Sequence, residues 1–415
     1  MASFTFVCAE CGARYAEGAV RYVCPICSTR QEPGGVTRGV LRVELDEIPQ
    51  RWPAARAHDP GSLVVFLPIA SPVSLPPLRV GGTPLLPVPG LRRELGMPHL
   101  WVKDETRNPS GSTKDRASLL VVAKAIEYGV DTIATASTGN AASALAAVAA
   151  AAGVRAVVFV PASAPPAKLA QAATYGARVV PVAGSYDDAF ELSIAACEKF
   201  GWYNRNTAYN PFTIEGKKTV ALEIAADLKP EAPDVVLVPT GDGVIISGVA
   251  KGFGDLVHGG LLHRRPRLIA VQPTGSPAIA SALRSGVSAL SPVIDAVSVA
   301  DSLVVNAPRN AIMALKEVRA SGGAGVLVSD DEILDAMGHL ARKTGVFAEP
   351  AAAAALAGLL VALREGLVAR DERAVLLITG TGLKDVPAAI RRASIPKPVP
   401  PDLQAVERLL EQSGQ

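Results

Sequence analysis

The fold of the chain is set by residues 132–161, which read TIATASTGNAASALAAVAAAAGVRAVVFVP. Two strand-like runs, Thr132 to Ala136 and Ala156 to Val160, enclose a helix-like stretch of alanines from Ala141 to Ala152. A strand, a helix and a second strand in this order predict a βαβ unit with parallel strands. The alternation recurs, with further strand-like runs at Arg178 to Val182, Asp234 to Val238, Arg267 to Gln272 and Ala374 to Ile378. We therefore predict an α/β protein with two α/β halves and a crevice between them.

Three of the predicted strands end in polar loops. These loops are Ser137-Thr138-Gly139-Asn140, Thr240-Gly241-Asp242-Gly243 and Thr379-Gly380-Thr381-Gly382. In a parallel sheet they would lie at the carboxyl ends of strands, where open α/β sheets bind ligands. Backbone N–H groups in a glycine-rich turn at a helix start bind phosphate, and hydroxyls placed there bind a carboxylate. Helix capping or a polar strand end would also explain each loop taken alone.

Lys114 follows the tight polar turn NPSGST at residues 108–113 and opens a helix predicted over Ala117 to Glu127. The positive end of that helix and the neighbouring Arg116 disfavour a further positive charge, so we expect the amine to lose its proton readily. An activated lysine amine suits a Schiff base to an aldehyde cofactor. The alternative is a solvated lysine in a surface turn, because lysines are rarely buried. The three polar loops favour the cofactor interpretation.

Composition excludes several classes of partner. The 415 residues carry 41 basic and 39 acidic side chains, a formal net charge of +2 without a basic run, so no nucleic acid is expected as a partner. The longest apolar stretch, Ala141 to Pro161, is interrupted by Gly153 and Arg155, so no membrane span is predicted. The N-terminus lacks the pattern of a signal peptide. We expect a cytoplasmic protein that binds small molecules.

Four of the five cysteines lie in two Cys-x-x-Cys pairs, Cys8 with Cys11 and Cys24 with Cys27. Four thiolates at this spacing predict a tetrahedral Zn²⁺ site, and because sulfur fills every position the metal would be structural. The alternatives are two disulfides, which a reducing cytosol disfavours, and a site that lacks the metal. The fifth cysteine, Cys197, is expected to be a buried apolar residue.

These patterns predict a domain organisation of four parts. A zinc ribbon comprises residues 1–35. A large α/β domain comprises residues 36–125 and 206–400, and a small α/β domain comprises residues 126–205. The last part is a C-terminal tail over residues 401–415.

Nine short motifs between roughly residues 80 and 390 occur in an order that resembles one known family. They are GTPL at 82–85, KDE at 103–105, NPSGSTKDR at 108–116, STGNAA at 137–142, EGKKT at 215–219, GDG at 241–243, KGF at 251–253, EP at 349–350 and TGTGLKD at 379–385. The chain resembles the pyridoxal-phosphate enzymes of fold type II, and within them threonine synthase and its close relatives. The resemblance implies two doubly wound α/β domains with pyridoxal 5'-phosphate in the crevice between them.

The resemblance also implies roles for individual residues. Lys114 is the catalytic residue, which holds the cofactor as a Schiff base and then acts as general acid and base. Asn140 hydrogen-bonds the cofactor's phenolic oxygen, and Thr379 faces its pyridine nitrogen. The cofactor phosphate lies in the turn formed by Gly241, Asp242, Gly243 and Val244. The substrate's carboxylate site is lined by Ser137, Thr138, Asn140 and Ala141.

The activity implied is that of a homodimeric threonine synthase, which eliminates phosphate from O-phospho-L-homoserine and adds water to form L-threonine. Thr213, however, stands where threonine synthases tend to place an arginine that grips the substrate's phosphate, and a hydroxyl binds a dianion less strongly. The alternative is β-elimination or β-replacement on a serine-like, threonine-like or phosphoserine-like substrate. Arg205, Lys217 or Lys218 could supply the missing cation, although we expect each of them on the solvated surface.

A third interpretation belongs to a different class of protein. The chain could be a binding protein with a cysteine ribbon and a catalytically silent α/β body. The joint presence of Lys114, Asn140 and Thr379 argues against it, because an inactive body would have no need of the three together.

Overall fold

The computed structural model describes residues 3–53, 60–287, 290, 293–393 and 395–412, so the end of the predicted tail, residues 413–415, lies outside the described residues. Thirteen strands occur in the described part of the chain: β1 Phe4–Cys8, β2 Arg14–Ala16, β3 Leu41–Leu45, β4 Leu85–Pro87, β5 Leu100–Asp104, β6 Thr132–Ala136, β7 Arg155–Pro161, β8 Arg178–Val182, β9 Tyr203–Asn204, β10 Val235–Pro239, β11 Arg267–Pro273, β12 Ala324–Val328 and β13 Ala374–Ile378.

Fifteen α-helices occur among the same described residues: α1 Pro25–Ser28, α2 Pro89–Leu95, α3 Lys114–Glu127, α4 Asn140–Ala152, α5 Pro166–Thr174, α6 Tyr186–Phe200, α7 Phe212–Lys217, α8 Thr219–Leu228, α9 Val244–His258, α10 Ala278–Ser285, α11 Ala311–Ala320, α12 Asp330–Thr344, α13 Pro350–Arg364, α14 Val386–Ile390 and α15 Leu403–Gln412. None of these described helices combines the length and the apolarity that a bilayer crossing requires.

The N-terminal strands form a small antiparallel sheet in the order β2-β1-β3, which we call the cysteine ribbon together with helix α1. The ribbon packs on the rest of the chain through aromatic rings. Phe4 and Phe6 of β1 place their ring centroids 5.8 and 5.7 Å from that of Phe212 in α7. Phe212 is completely buried. The ribbon is therefore part of the folded body.

A four-stranded parallel sheet has the order β8-β7-β6-β9. Side chains of β7 alternate between its two faces, as a strand requires. Val157 and Phe159 pack in a cluster with Phe190 of α6, whereas Val158 and Val160 pack in a cluster with alanines of α4 and α5. Both faces of this sheet are thus covered by helices, which is typical of parallel sheets.

A six-stranded sheet has the order β12-β11-β10-β13-β5-β4 and is parallel except for the edge strand β4. Leu237 of β10 packs in the same cluster as the alanine-rich helix α13, and its neighbour Val238 packs in the cluster of α8 and α9 on the opposite face. A Cβ added at Gly358 would lie 2.4 Å from a methyl carbon of Val271. The small residues of α13 therefore let this helix lie directly on the sheet.

The predicted α/β fold with parallel strands is confirmed, and all six predicted strands are present within one residue or so of their predicted ends. Helix α12 begins with a capping box between Ser329 and Glu332. Four strands of the two larger sheets, β4, β5, β9 and β12, were not predicted. Helix α3 begins at Lys114 instead of Ala117, so the lysine lies in the first turn of the helix.

Candidate active site

A cleft of about 480 Å³ opens at the carboxyl ends of strands from both sheets. The loop after β6 contributes residues 137–141, and the loop after β10 contributes residues 240–244. Lys114, Arg205, Lys217 and Arg309 are the cationic side chains that line the described part of the cleft. The structure therefore brings together in one cavity two of the three predicted loops and the predicted lysine.

Lys114 has a lowered pKa, but not for the reason that the sequence suggested. Burial is the main cause, and the charge of Arg205 adds to it, while Glu349 and Asp242 oppose it. Arg116 was expected to repel a proton from the amine. Instead, the Arg116 guanidinium lies 2.6 Å from a Glu105 carboxylate oxygen and 2.7 Å from one of Glu223, which offset its charge.

The loop after β10 presents unpaired backbone donors at the start of the fifteen-residue helix α9. Among the described residues, the N–H groups of Gly241, Asp242, Gly243 and Val244 donate to no protein acceptor. Gly243 has φ +86°, and a Cβ there would lie 2.7 Å from Cβ of Ala314, so this turn requires glycine. Unpaired N–H groups at a helix N-terminus form an anion site.

Arg309 contacts the loop after β10 through Asp242. Its backbone N–H donates to a carboxylate oxygen of Asp242 at 2.9 Å, which leaves the N–H groups of the loop unobstructed by that carboxylate. Its guanidinium pairs with Asp187 and donates to the carbonyl of Gly35 at 2.8 Å. Gly35 lies between α1 and β3, so Arg309 links the cysteine ribbon to the loop after β10. Sequence reasoning had assigned Arg309 no role.

Asn140 is the first residue of α4, and its amide nitrogen donates to both carboxylate oxygens of Glu349, at 2.9 and 3.1 Å. Burial raises the pKa of Glu349, and the hydrogen bond from Asn140 and the charge of Lys114 partly offset that rise. Glu349 is a site residue that the sequence placed only within a motif, without a role. Its signal was the Glu-Pro pair in front of an alanine-rich helix.

The remaining predicted residues are placed as follows. Ser137, Thr138 and Ala141 line the same cleft. Thr379 is buried directly behind the Lys114 turn, where its carbonyl accepts from the N–H of Thr113 at 2.9 Å. Thr379 does not line the cleft as the described residues define it. Its contact with the pyridine nitrogen of a cofactor stays a prediction.

The expectation that Arg205, Lys217 and Lys218 lie on solvated surface is wrong. Their exposed fractions are 0%, 1% and 0%. Arg205 and Lys217 line the cleft, whereas the Lys218 ammonium pairs with Glu215 and, at 2.8 Å, with Asp255. For the two lysines the reason is the close packing of α7 on α3: a Cβ at Gly216 would lie 2.3 Å from the carbonyl oxygen of Arg116 in α3.

The four predicted metal ligands form one cluster in the ribbon. The sulfur atoms of Cys8, Cys11, Cys24 and Cys27 all lie within 4.8 Å of one another. Two of the separations, Cys8 to Cys27 and Cys11 to Cys24, are 3.8 Å, which excludes disulfide bonds in this structure. Cys197 is buried, as expected.

An activated lysine, an anion-binding helix start and an amide in a cleft between two parallel sheets define an α/β enzyme that binds a phosphorylated aldehyde cofactor. The profile of the family described as pyridoxal-phosphate dependent enzyme matches residues 77–380. The chain belongs to this family of pyridoxal-phosphate-dependent enzymes and, within it, to the threonine synthase group, as the following relatives show.

The chain is 36% identical to the threonine synthase of Methanocaldococcus jannaschii over 98% of its own length and 99% of that protein. It is 34% identical to the threonine synthase of Mycobacterium tuberculosis over 85% of its own length and 97% of that protein.

Solved structures share the fold at lower identity. A maize serine racemase aligns with TM-score 0.65 and 24% identity over 80% of this chain and 94% of its own. A threonine deaminase from Solanum lycopersicum aligns with TM-score 0.64 and 21% identity over 95% of this chain and 96% of its own. At these identities the likeness concerns the fold alone.

Proposed function

We propose that this chain acts as a threonine synthase, which converts O-phospho-L-homoserine and water into L-threonine and inorganic phosphate. The observation that carries the proposal is the 36% identity with the threonine synthase of Methanocaldococcus jannaschii over 98% of the chain and 99% of that protein. An alignment of this length spans the cysteine ribbon as well as both sheets. The cleft supports the proposal because its residues suit pyridoxal 5'-phosphate, the cofactor of the family to which the chain belongs.

The residues of the cleft fit pyridoxal 5'-phosphate. When bound, the cofactor supplies an electron sink for negative charge at the substrate's α-carbon. The unpaired N–H groups of Gly241, Asp242, Gly243 and Val244 would hold its phosphate. Asn140 would meet its phenolic oxygen, and Thr379 would offer an uncharged hydroxyl to its ring nitrogen.

Lys114 would supply both the amine that binds the cofactor's aldehyde and, when free, the base that removes the substrate's α-proton. Its lowered pKa supports both roles, because the unprotonated fraction of the amine is larger than in a solvated lysine. Ser137, Thr138, Asn140 and Ala141 would receive the substrate's carboxylate, where the positive end of α4 favours an anion.

The cysteine cluster would hold a structural Zn²⁺ ion. Four sulfur atoms about 2.3 Å from a zinc ion form a tetrahedron with edges of about 3.8 Å, and two of the edges here measure 3.8 Å.

Free thiols throughout the chain agree with a reducing cytoplasm. A homodimer rests on the family resemblance. The proposed domains are a zinc ribbon over residues 1–35, whose sheet is completed by β3 at Leu41–Leu45, a large domain over residues 36–125 and 206–400, a small domain over residues 126–205, and a C-terminal tail over residues 401–415.

The deciding experiment measures inorganic phosphate released from O-phospho-L-homoserine by the cofactor-loaded protein, with threonine formation followed by chromatography. Ammonia and keto-acid release from threonine, serine and O-phosphoserine is measured in parallel. We expect phosphate and threonine in equal amounts from the first substrate. Keto acid from serine or threonine without phosphate release from O-phospho-L-homoserine would replace the proposal with the β-elimination alternative.

A further inference from the structure

Arg205 is a buried cation whose two Nη atoms have no hydrogen-bond partner in the part of the chain that the structure describes. It follows β9, and its Nε donates to the Ser118 hydroxyl at 3.2 Å. Both Nη atoms are buried without an acceptor, and Arg205 is one of the residues that line the cleft. A buried guanidinium left without an acceptor is strongly unfavourable, and such a group in a native structure calls for a ligand to explain it.

Lys217 is a second buried cation in the same cleft. Its ammonium donates to the Thr213 carbonyl at 3.1 Å, and no other described residue accepts from it. Among the described residues, no carboxylate lies within 4.0 Å of Lys217 or of Arg205, and Asp242 and Asp115 act on them only from a greater distance. Burial lowers the pKa of both groups, that of Arg205 to about 10, and the charges of Lys114 and Arg205 lower the pKa of Lys217 further. Both cationic groups therefore lack a carboxylate counter-ion among the described residues, and an anionic ligand would favour their protonated forms.

The other cations of the cleft are already committed. Arg309 pairs with Asp187, and Lys114 is the amine that the cofactor requires under the proposed function. The cofactor's phosphate has its own donors in the N–H groups at the start of α9. Arg205 and Lys217 therefore remain available for a second anion in the cleft.

The segment that carries Arg205 is anchored by buried side-chain hydrogen bonds. Asn206 accepts from the N–H of Ala136 at 2.7 Å and donates to Ser193 at 2.8 Å, while Asn210 donates to the carbonyl of Asn204 at 2.8 Å. Ala208, between them, is buried and has φ +63°, a left-handed conformation that is strained for a residue with a Cβ. These hydrogen bonds fix the backbone that carries Arg205.

We infer that Arg205 and Lys217 form a binding site for the phosphate ester of the substrate and thereby select phosphorylated amino acids over unphosphorylated ones. The inference rests on the proposed function. Two cations match the charge of a phosphate monoester, and the guanidinium fork matches two of its oxygens. They supply what Thr213 does not, because the Thr213 hydroxyl donates to the Asn210 carbonyl at 2.7 Å and is fully buried away from the cleft.

The test compares the parent with Arg205→Met, Arg205→Lys and Lys217→Met, and uses Arg178→Met on the exposed end of β8 as the matched control. The ligand is a phosphonate analogue of O-phospho-L-homoserine in which a methylene group replaces the ester oxygen, so that it cannot lose phosphate. Calorimetry of the cofactor-loaded proteins gives its dissociation constant. Titration of the cofactor-free proteins with pyridoxal 5'-phosphate gives the cofactor's dissociation constant, and circular dichroism checks the fold.

We expect Arg205→Met and Lys217→Met each to weaken the phosphonate roughly 10- to 100-fold, with cofactor affinity and the control unchanged. Arg205→Lys should fall between the parent and Arg205→Met, because it keeps the charge and loses the fork. Unchanged phosphonate affinity would overturn the inference. Lost cofactor affinity with retained phosphonate affinity would overturn it too, because the site would then hold the cofactor's phosphate.

The experiment separates failure of this inference from failure of the proposed function. A parent protein that binds the phosphonate through Arg205 but releases no phosphate from O-phospho-L-homoserine would contradict the threonine synthase activity and leave the phosphate site standing. If the parent forms threonine while Arg205→Met and Lys217→Met bind the phosphonate normally, the threonine synthase activity stands. The phosphate site at Arg205 and Lys217 is then contradicted.

Discussion

The amide nitrogen of Asn140, which lines the cleft, lies 2.9 Å from a carboxylate oxygen of Glu349. Asn140 begins α4, which covers the four-stranded sheet, and Glu349 immediately precedes α13, which covers the six-stranded sheet. The contact therefore joins the two sheets at the place where we propose the cofactor binds. It also orients the amide that is expected to meet the cofactor's phenolic oxygen.

Replacement of Glu349 should change cofactor affinity according to the acceptors that remain. Glu349→Ala removes both acceptors of the Asn140 amide, and we expect the cofactor's dissociation constant to rise about 10-fold, because a hydrogen bond to a charged group contributes roughly 1.5–3 kcal/mol. Glu349→Gln keeps one oxygen and should stay within about threefold of the parent. Fluorescence titration of the cofactor-free proteins measures both. Equal losses in the two variants would show that the contact does not position Asn140.

Lys114→Ala should abolish the covalent attachment of the cofactor. We expect the variant to lose the visible absorption of the lysine-bound cofactor and about 10²–10⁴-fold in turnover, because no other amine replaces the acid and base. The exposed Lys199→Ala serves as the control and should match the parent in both measurements. A borohydride-reduced parent analysed by mass spectrometry should carry the cofactor on the peptide that contains Lys114. Label on a different lysine would contradict the assignment.

Asp115 should make the stability of the protein depend on pH. Burial raises its pKa to about 6, against about 4 in an unfolded chain. The folded state therefore holds the proton more tightly, so the stabilisation is complete below about pH 4 and is lost as the pH rises through about 6. A difference of about two between the pKa values corresponds to about 3 kcal/mol.

Asp115→Asn cannot ionise but keeps an acceptor for the Ser110 N–H, which donates to Asp115 at 2.7 Å. Relative to the parent, this variant should therefore gain about 3 kcal/mol of stability between pH 4 and pH 8. Urea unfolding at the two pH values measures the gain. The exposed Asp371→Asn should show no such gain. A parent and an Asp115→Asn variant with parallel pH profiles would contradict the burial of an unpaired charge.

The cysteine cluster should bind about one zinc ion per chain. Elemental analysis of the purified protein measures it, and Cys24→Ser should lose the metal and lower the melting temperature, because binding of a structural metal contributes to folding. Cys197→Ala removes a buried thiol outside the cluster and should retain the zinc. Zinc content that is zero in the parent, or unchanged in Cys24→Ser, would contradict a four-cysteine site.

Arg116 should be needed for stability instead of catalysis. It lies buried between Glu105 and Glu223, and Glu223 also pairs with Lys103 at 2.8 Å. Arg116→Met would leave two carboxylates with too little positive charge, so we expect a loss of about 3–5 kcal/mol in unfolding free energy. The exposed pair of Arg155 and Asp131 provides the comparison, and Arg155→Met should leave the unfolding free energy close to that of the parent. Similar losses in the two variants would contradict a buried network.

The predictions from sequence were most successful where the signal was local. The loop after β6 and the loop after β10 follow continuous apolar runs, and their glycines and hydroxyls are recognisable without tertiary information. Strand β12 was missed because it begins Ala-Gly, which weakens a strand signal. Strand β5 was missed because it ends in Lys103 and Asp104. Residues of these types are usually exposed, but both are buried here.

The sequence by itself determined the α/β class, the cysteine cluster and the polar turn that ends in Lys114, because each depends on residue types at short, regular spacings. Only the tertiary structure decided which charges meet in the cleft. Three features depend on how distant helices pack. They are the hydrogen bond between Asn140 and Glu349, which are 209 residues apart, the burial of Arg205 and Lys217, and the hydrogen bond of the Thr213 hydroxyl to the Asn210 carbonyl. Burial and long-range contacts determine the pKa values of the site residues and which of their N–H groups lack a protein acceptor. No local sequence pattern encodes either property.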